Sequence, residues 1–271
     1  MNVTYFNFEY NNDKSEVVSI NIPNGLGKIL FNIASAYTYS INNNKKLVFE
    51  KTNNNINKKL FTTFFSNKLN FTDIDNIKFK KIDNNNCIIE KDENNNIFLN
   101  GLYNSFIYLN SVDNSTRNFL RHLVYSNENY MYSTYDIYNS IKSYFTKINN
   151  KECLDNDLVS LHINVKDDVN IPYYNRALDL TDKTNVVIFS NNIEWCKNNK
   201  YRFNYNNKTL YFIDINIIEI EFILLSMIKH NIISNSHFSL MASYISYFDD
   251  KKTIIAPTST ISFHEDITTV I

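Results

Sequence analysis

Four short stretches of this chain carry side chains suited to phosphate or acid–base chemistry. In HINVKDD (162–168), His162 and Asp167 are candidates for proton transfer. Lys166 can meet a phosphate, while Asp167 and Asp168 repel one unless turned away. A lone histidine at a strand end is more often structural than catalytic. KHNIISNSHFSLMAS (229–243) gathers Asn235, Ser236, His237 and Ser239 ahead of a helical run. Hydroxyls and amides at a helix N-terminus form a ready anion site. FSNNIEWCK (189–197) puts Ser190, Asn191 and Asn192 where they either cap the next helix or touch a ligand. NGLGK (24–28) sets Gly25 and Gly27 at a strand-to-helix turn, which is either a tight structural turn or a phosphate cradle. It lacks the third glycine of a dinucleotide fingerprint and the lysine–serine pair of a P-loop. Two DxD triplets, Asp73-Ile74-Asp75 and Asp155-Asn156-Asp157, have no further ligands nearby and read as loop acids, so no metal site is expected.

The elements that must position these residues follow from periodicity. VVSINI (17–22) alternates as a strand, and Leu26, Ile29, Leu30, Ile33, Ala34 and Tyr37 recur at helical spacing over about 27–41. KKLVFE (45–50) completes a βαβ unit, whose crossover implies parallel pairing. IFLNGLYNSFIYL (97–109) reads as strand and loop, followed by helices over 113–124 and 134–148. The polar NNKECLDND (149–157) marks a domain boundary, giving halves 1–150 and 151–271. Beyond it, strands at 158–163, 186–190, 209–215, 232–234 and 253–257 alternate with helices near 173–178, 192–199 and 219–231. That alternation defines a Rossmann-like sheet, which binds ligands at the carboxyl ends of its strands.

Composition narrows the function classes. A chain of 271 residues with 44% hydrophobic and 15% aromatic content has room for two folded cores. Asparagine runs at 42–44, 53–55, 84–86 and 94–96 sit between apolar segments and read as enlarged loops. A net charge of −1 removes the simplest case for nucleic-acid binding, which needs a basic face. Three scattered cysteines (Cys87, Cys153, Cys196) make neither a disulfide framework nor a zinc cluster. The first residues lack the pattern of a signal peptide. The longest apolar run, 217–228, is too short to span a bilayer and carries two glutamates, so a cytoplasmic location is expected.

In order along the chain, these segments resemble glycosyltransferase family 11, the α-1,2-fucosyltransferase-like family. GLGKILFNIASAYTYS resembles the family's G-L-G-N-Q-L-F-Q-x-A, and GLYNSFIYL its G-Y-F-Q-S-x-K-Y-F. VSLHINVKDDV stands where the family has V-x-x-H-x-R-R-x-D-Y-V, and FSNNIEWCK resembles F-S-D-D-x-x-W-C-K. FILLSMIKHNIISNSHFSLMASYI is similar to L-x-x-M-S-x-C-K-H-x-I-I-A-N-S-S-F-S-W-W-x-A-x-L, and KKTIIAP to K-x-V-I-A-P.

The resemblance implies an α/β, GT-B-like fold of two Rossmann-type halves facing a cleft. It implies an inverting, metal-independent transfer of fucose, or a related sugar, from a GDP-sugar to a glycan hydroxyl. It makes His162 and Asp167 the catalytic candidates. Gly25, Gly27, Lys166, Ser190, Asn191, Asn235, Ser236, His237 and Ser239 become donor-binding candidates, mainly in the C-terminal half, with the N-terminal half on the acceptor side. No cofactor is expected beyond the donor substrate. The departure from the family is local: Asn164 and Val165 replace the arginine pair, which in the family stabilises the leaving diphosphate. A second reading is therefore a catalytically degenerate relative serving as a carbohydrate- or partner-binding scaffold. A third, a nucleotide-binding regulatory module, rests on the fold alone.

Overall fold

The computed structural model describes residues 16–50, 60–65, 68–83, 92, 94–101, 103, 113–166, 169–248, 252–259 and 267–271. The chain divides into two compact units, Met1–Glu128 and Asn129–Ile271.

In the first unit, β1 (Val17–Ile20), β2 (Lys46–Leu47), β5 (Lys80–Asp83) and β6 (Ile97–Asn100) form a parallel sheet in the order β2-β1-β6-β5. Short strands β3 (Phe49–Glu50) and β4 (Phe71–Thr72) pair separately. The expected helix is α1 (Leu26–Asn42), which crosses from β1 to β2. It starts at Gly25, whose φ of 94° suits a residue without a Cβ. Burial extends well beyond the expected stripe, to Phe31, Asn32, Ser35 and Thr38. Buried Asn32 pins the loops after β1 and β6 to this helix. Its Nδ2 donates to the carbonyls of Asn21 (2.8 Å) and Gly101 (3.1 Å), and its Oδ1 accepts from the Tyr103 N–H (3.0 Å). Against α1 packs α2 (Asp113–Tyr125), with Tyr37 stacked on Phe119 and Thr38 hydrogen-bonded to Thr116.

The second unit opens within α3 (Glu128–Asn149), whose first residue closes the first unit; this helix is six residues longer at its start than expected. Its six strands are all parallel: β7 (Leu158–Ile163), β8 (Asn185–Ser190), β9 (Thr209–Phe212), β10 (His230–Ile232), β11 (Ile254–Ala256) and β12 (Thr269–Val270). Their order is β12-β11-β10-β7-β8-β9, so the chain winds outward in both directions from a reversal between β7 and β10. That is the doubly wound arrangement in which a crevice opens at the carboxyl ends of the two central strands. β7 is buried along its whole length, as a central parallel strand covered on both faces must be. The crossovers are α4 (Ile171–Leu180), α5 (Ile193–Asn198), α6 (Ile218–Met227) and α7 (His237–Tyr244).

Two expectations shift here. The helix expected over 219–231 stops at Met227, because Ile228 turns extended (φ −87°, ψ 126°) and 230–232 enter the sheet as β10. α6 is buried around its circumference, with Phe222 and Leu225 inside as well as Ile223 and Leu224, so it shows no single stripe. The strand expected at 253–257 is also not the last, since β12 adds beyond it.

Four asparagines, Asn44, Asn150, Asn207 and Asn216, adopt left-handed backbone angles with φ of 50–58°. They end or turn elements where glycine would be the usual choice.

From α4, the fully buried Tyr173 reaches the carboxyl ends of β10 and β11. Its hydroxyl lies 2.6 Å from the Ile233 carbonyl and 3.0 Å from that of Ile255. Tyr173→Phe removes the donor from two buried carbonyls and should cost about 1–3 kcal/mol. The check is the urea midpoint at constant slope; an unchanged midpoint would remove this tie from the account of the sheet.

Candidate functional site

The reversal between β7 and β10 brings together residues separated by some seventy positions. Their register pairs Val159 with His230, Ser160 with Asn231 and Leu161 with Ile232. One residue further, at the strand ends, His162 Nδ1 lies 2.7 Å from Ser234 Oγ. Ser234 continues to Ser236 Oγ (3.1 Å) and Ser239 Oγ (3.3 Å), which are themselves 3.0 Å apart. Ser239 Oγ donates to the Ser234 carbonyl (3.2 Å). Ser236 is the N-cap of α7, its hydroxyl accepting from the Ser239 N–H. The result is a chain of hydroxyls from a buried imidazole to the start of a helix. Ser234 and Ser239 are buried, Ser236 is half-buried and Asn235 is exposed.

His162 is 7% exposed, with its ring stacked on Phe238 at 5.5 Å. Burial lowers its pKa to about 4, so the ring is neutral at pH 7. A neutral ring has one donor and one acceptor nitrogen, which suits it to a hydroxyl partner.

Beside β7, the carboxyl end of β8 supplies Ser190 to Asn192. Ser190 Oγ accepts from the Asn192 N–H (3.1 Å), and Asn192 Oδ1 accepts from the Trp195 N–H (3.0 Å) as the cap of α5. The capping reading thus holds for Asn192. Asn191 does something else: its Oδ1 accepts from the Val165 N–H (2.6 Å) and its Nδ2 donates to the Val165 carbonyl (3.0 Å). Val165 turns its side chain onto the core beneath, and the Asn164 backbone hydrogen-bonds the Tyr174 hydroxyl. Lys166 follows, exposed. On the far side of the loop, Asn170 caps α4 by accepting from the Tyr173 N–H (3.1 Å).

The structure therefore gathers His162, Lys166, Ser190, Asn191, Asn235, Ser236, His237 and Ser239 at the carboxyl ends of three neighbouring strands, β10, β7 and β8. Gly25 and Gly27 lie in the first unit at the start of α1. Space is open around Gly25: apart from its chain neighbours, no atom stands within 4 Å of where a Cβ would be. Asp167 lies outside the described residues. Ser234 joins His162 to the serine turn and was not singled out from sequence. Its signal was positional: it follows the end of β10 as His162 stands near the end of β7. The acids of the second DxD triplet are engaged locally. Asp155 accepts from Tyr138 and Lys142 (2.9 Å each), and Asp157 from the Leu154 N–H (2.8 Å). Among the described residues, no three potential ligands gather into a metal site, and no helix is long and apolar enough to cross a membrane.

Two α/β units, each built on a parallel sheet and the second doubly wound, define a GT-B-like α/β protein, and solved fucosyltransferases share the fold. NodZ alpha-1,6-fucosyltransferase soaked with GDP-fucose matches with a TM-score of 0.54 at 13% identity, over 86% of this chain and 93% of that one. NodZ from Bradyrhizobium matches at 0.52 and 12%, over 85% and 93%. FUT1 from Arabidopsis thaliana, a mutant in complex with GDP, matches at 0.50 and 11%, over 93% and 71%. Within the second unit, residues 158–268 match the family model of glycosyl transferase family 11. No curated protein matches the chain.

Burial sets a pH dependence. His162 and His230 both fall to about 4 in the folded chain, so between pH 6.5 and 4 the unfolded chain binds more protons. Stability should therefore decrease as pH drops through that window. His162→Gln should cost about 1–2 kcal/mol at pH 7 but flatten the loss between pH 7 and 5. Urea midpoints at the two pH values decide; an unchanged slope would mean that His162 is not held neutral.

Proposed function

We propose that the protein is a glycosyltransferase that moves fucose, or a related sugar, from a GDP-sugar to a glycan hydroxyl, inverting the anomeric centre without a metal ion. The observation that carries this reading is the His162–Ser234–Ser236–Ser239 corner. It lies at the strand reversal of the unit that matches glycosyl transferase family 11. The fold shared with NodZ supports it, and NodZ has been captured with GDP and with GDP-fucose.

The chemistry asks for little covalent work. An acceptor oxygen attacks the anomeric carbon as the bond to the leaving phosphate breaks, and the site must hold the negative charge that develops there. Main-chain N–H groups at the start of α7, the Ser236 hydroxyl, His237 and Lys166 are the donors assigned to that charge. Asp167 is the group assigned to take the acceptor's proton. His162, buried and neutral, serves by holding Ser234 and through it the serine turn. The first unit is assigned to the acceptor, with the Gly25–Gly27 turn as a further anion-binding candidate.

One observation favours the second reading, a binding scaffold with little turnover. Where the family has its arginine pair, Val165 faces the core and Asn164 carries no charge. Losing a charged clamp on a leaving phosphate costs roughly 10²–10³-fold in rate.

Calorimetry with GDP and GDP-fucose, followed by turnover on glycan acceptors, separates these readings. The expected outcome is binding that Ser236→Ala weakens by about tenfold. Asn164→Arg should tighten GDP binding, whereas Val165→Arg should instead destabilise the fold by about 1–3 kcal/mol by forcing a charge against the core. Absence of binding to either ligand at millimolar concentration would end the donor-site assignment. Binding without turnover on any acceptor would favour the scaffold.

A further inference from the structure

The pairing of Asn191 with Val165 uses both main-chain groups of a single residue. One planar side-chain amide accepts from its N–H (2.6 Å) and donates to its carbonyl (3.0 Å). Both φ and ψ of Val165 are restrained as a consequence. The loop is held from two further directions: the Val165 side chain packs on the core, and the Asn164 backbone bonds the Tyr174 hydroxyl. Lys166 is the next residue, exposed, and its direction of exit is set by the peptide that Asn191 grips. Lys166 is also the cation that the loop itself presents at the carboxyl end of β7.

Neither obvious replacement preserves this geometry. An alanine makes neither bond. An aspartate is acceptor-only when ionised, so it keeps the Val165 N–H but sets a carboxylate oxygen against the Val165 carbonyl.

We infer that Asn191 is a positioning residue. It fixes residues 164–166, just past the end of β7, so that Lys166 presents its ammonium to an anionic ligand of the nucleoside diphosphate class, and it does not bind that ligand itself. This rests on the donor-site reading above and replaces, within it, the direct contact that sequence assigned to Asn191.

The experiment uses the full chain with Asn191→Ala, Asn191→Asp, Lys166→Ala and the Asn191→Ala/Lys166→Ala double variant. Hydrogen exchange of the Val165 amide is read without ligand, and GDP affinity by calorimetry. Both Asn191 variants should bind GDP about tenfold more weakly than wild type at pH 7. In Asn191→Ala the Val165 amide should exchange about tenfold faster or more. The deficit of Asn191→Asp should shrink, relative to wild type at each pH, as pH falls toward about 4 and the carboxyl regains a proton to donate. The double variant should bind no more weakly than Lys166→Ala alone, because the amide acts through the lysine.

Additive losses in the double variant would overturn the inference in favour of direct contact by Asn191. Unchanged Val165 exchange in Asn191→Ala would overturn it by removing the clamp. If wild type binds neither GDP nor GDP-fucose while Asn191→Ala still loosens Val165, the donor-site reading falls and the positioning role falls with it. Loosening together with retained wild-type-like GDP affinity defeats the positioning role alone.

Discussion

The second unit turns on the contact of 2.7 Å between His162 Nδ1 and Ser234 Oγ. It spans the place where the sheet reverses direction, between two strands whose outgoing connections run to opposite sides. Backbone pairing ends there, and no crossover element can bridge the gap, because the crossovers diverge. A pair of side chains must do it. A neutral imidazole meets the requirement at low cost: it offers a donor and an acceptor to hydroxyl partners, and burial keeps it uncharged. Ser234 then hands the constraint to Ser236 and Ser239, so one buried ring orders the first turn of α7.

The strand ends form a corner built mainly from neutral groups. The hydroxyl chain is short-range and directional, and each Ser234–Ser239 group is already paired within the protein. These dipoles are held in shape by the protein itself, whereas mobile charges must be ordered by whatever they meet. What the corner lacks is long-range attraction. The net charge of −1 offers none in compensation.

Much of this was legible in the residues. β7, α1, β8 and the serine turn were visible because their apolar periodicity and turn residues agree with their final environment. The strand order was not legible, and with it went Ser234, whose role exists only because β10 lies beside β7. The end of α6 was obscured for a different reason. From Phe222 to Ile233 every residue is buried, the polar Lys229-His230-Asn231 included, so no exposed polar break marks where the helix ends and the strand begins. Asn191 showed the limit most clearly. Capping was the natural reading of Ser190-Asn191-Asn192, and the structure uses the neighbouring Asn192 for it. The grip of Asn191 on Val165 depends on a loop 26 positions away.

Several asparagines, inside and outside the runs that read as enlarged loops, form a working vocabulary. The chain contains only three glycines. Left-handed turns fall instead to Asn44, Asn150, Asn207 and Asn216, helix caps to Asn170 and Asn192, the loop pin in the first unit to Asn32 and the grip on Val165 to Asn191. One amide does these jobs because it tolerates the left-handed region and carries a donor and an acceptor on a short stem. A genome drifting toward asparagine need not erode a fold, since the same letter can be respelled as hinge, cap or peptide mimic. The cost is in legibility: asparagines with different jobs are spelled alike, and only the folded chain tells them apart.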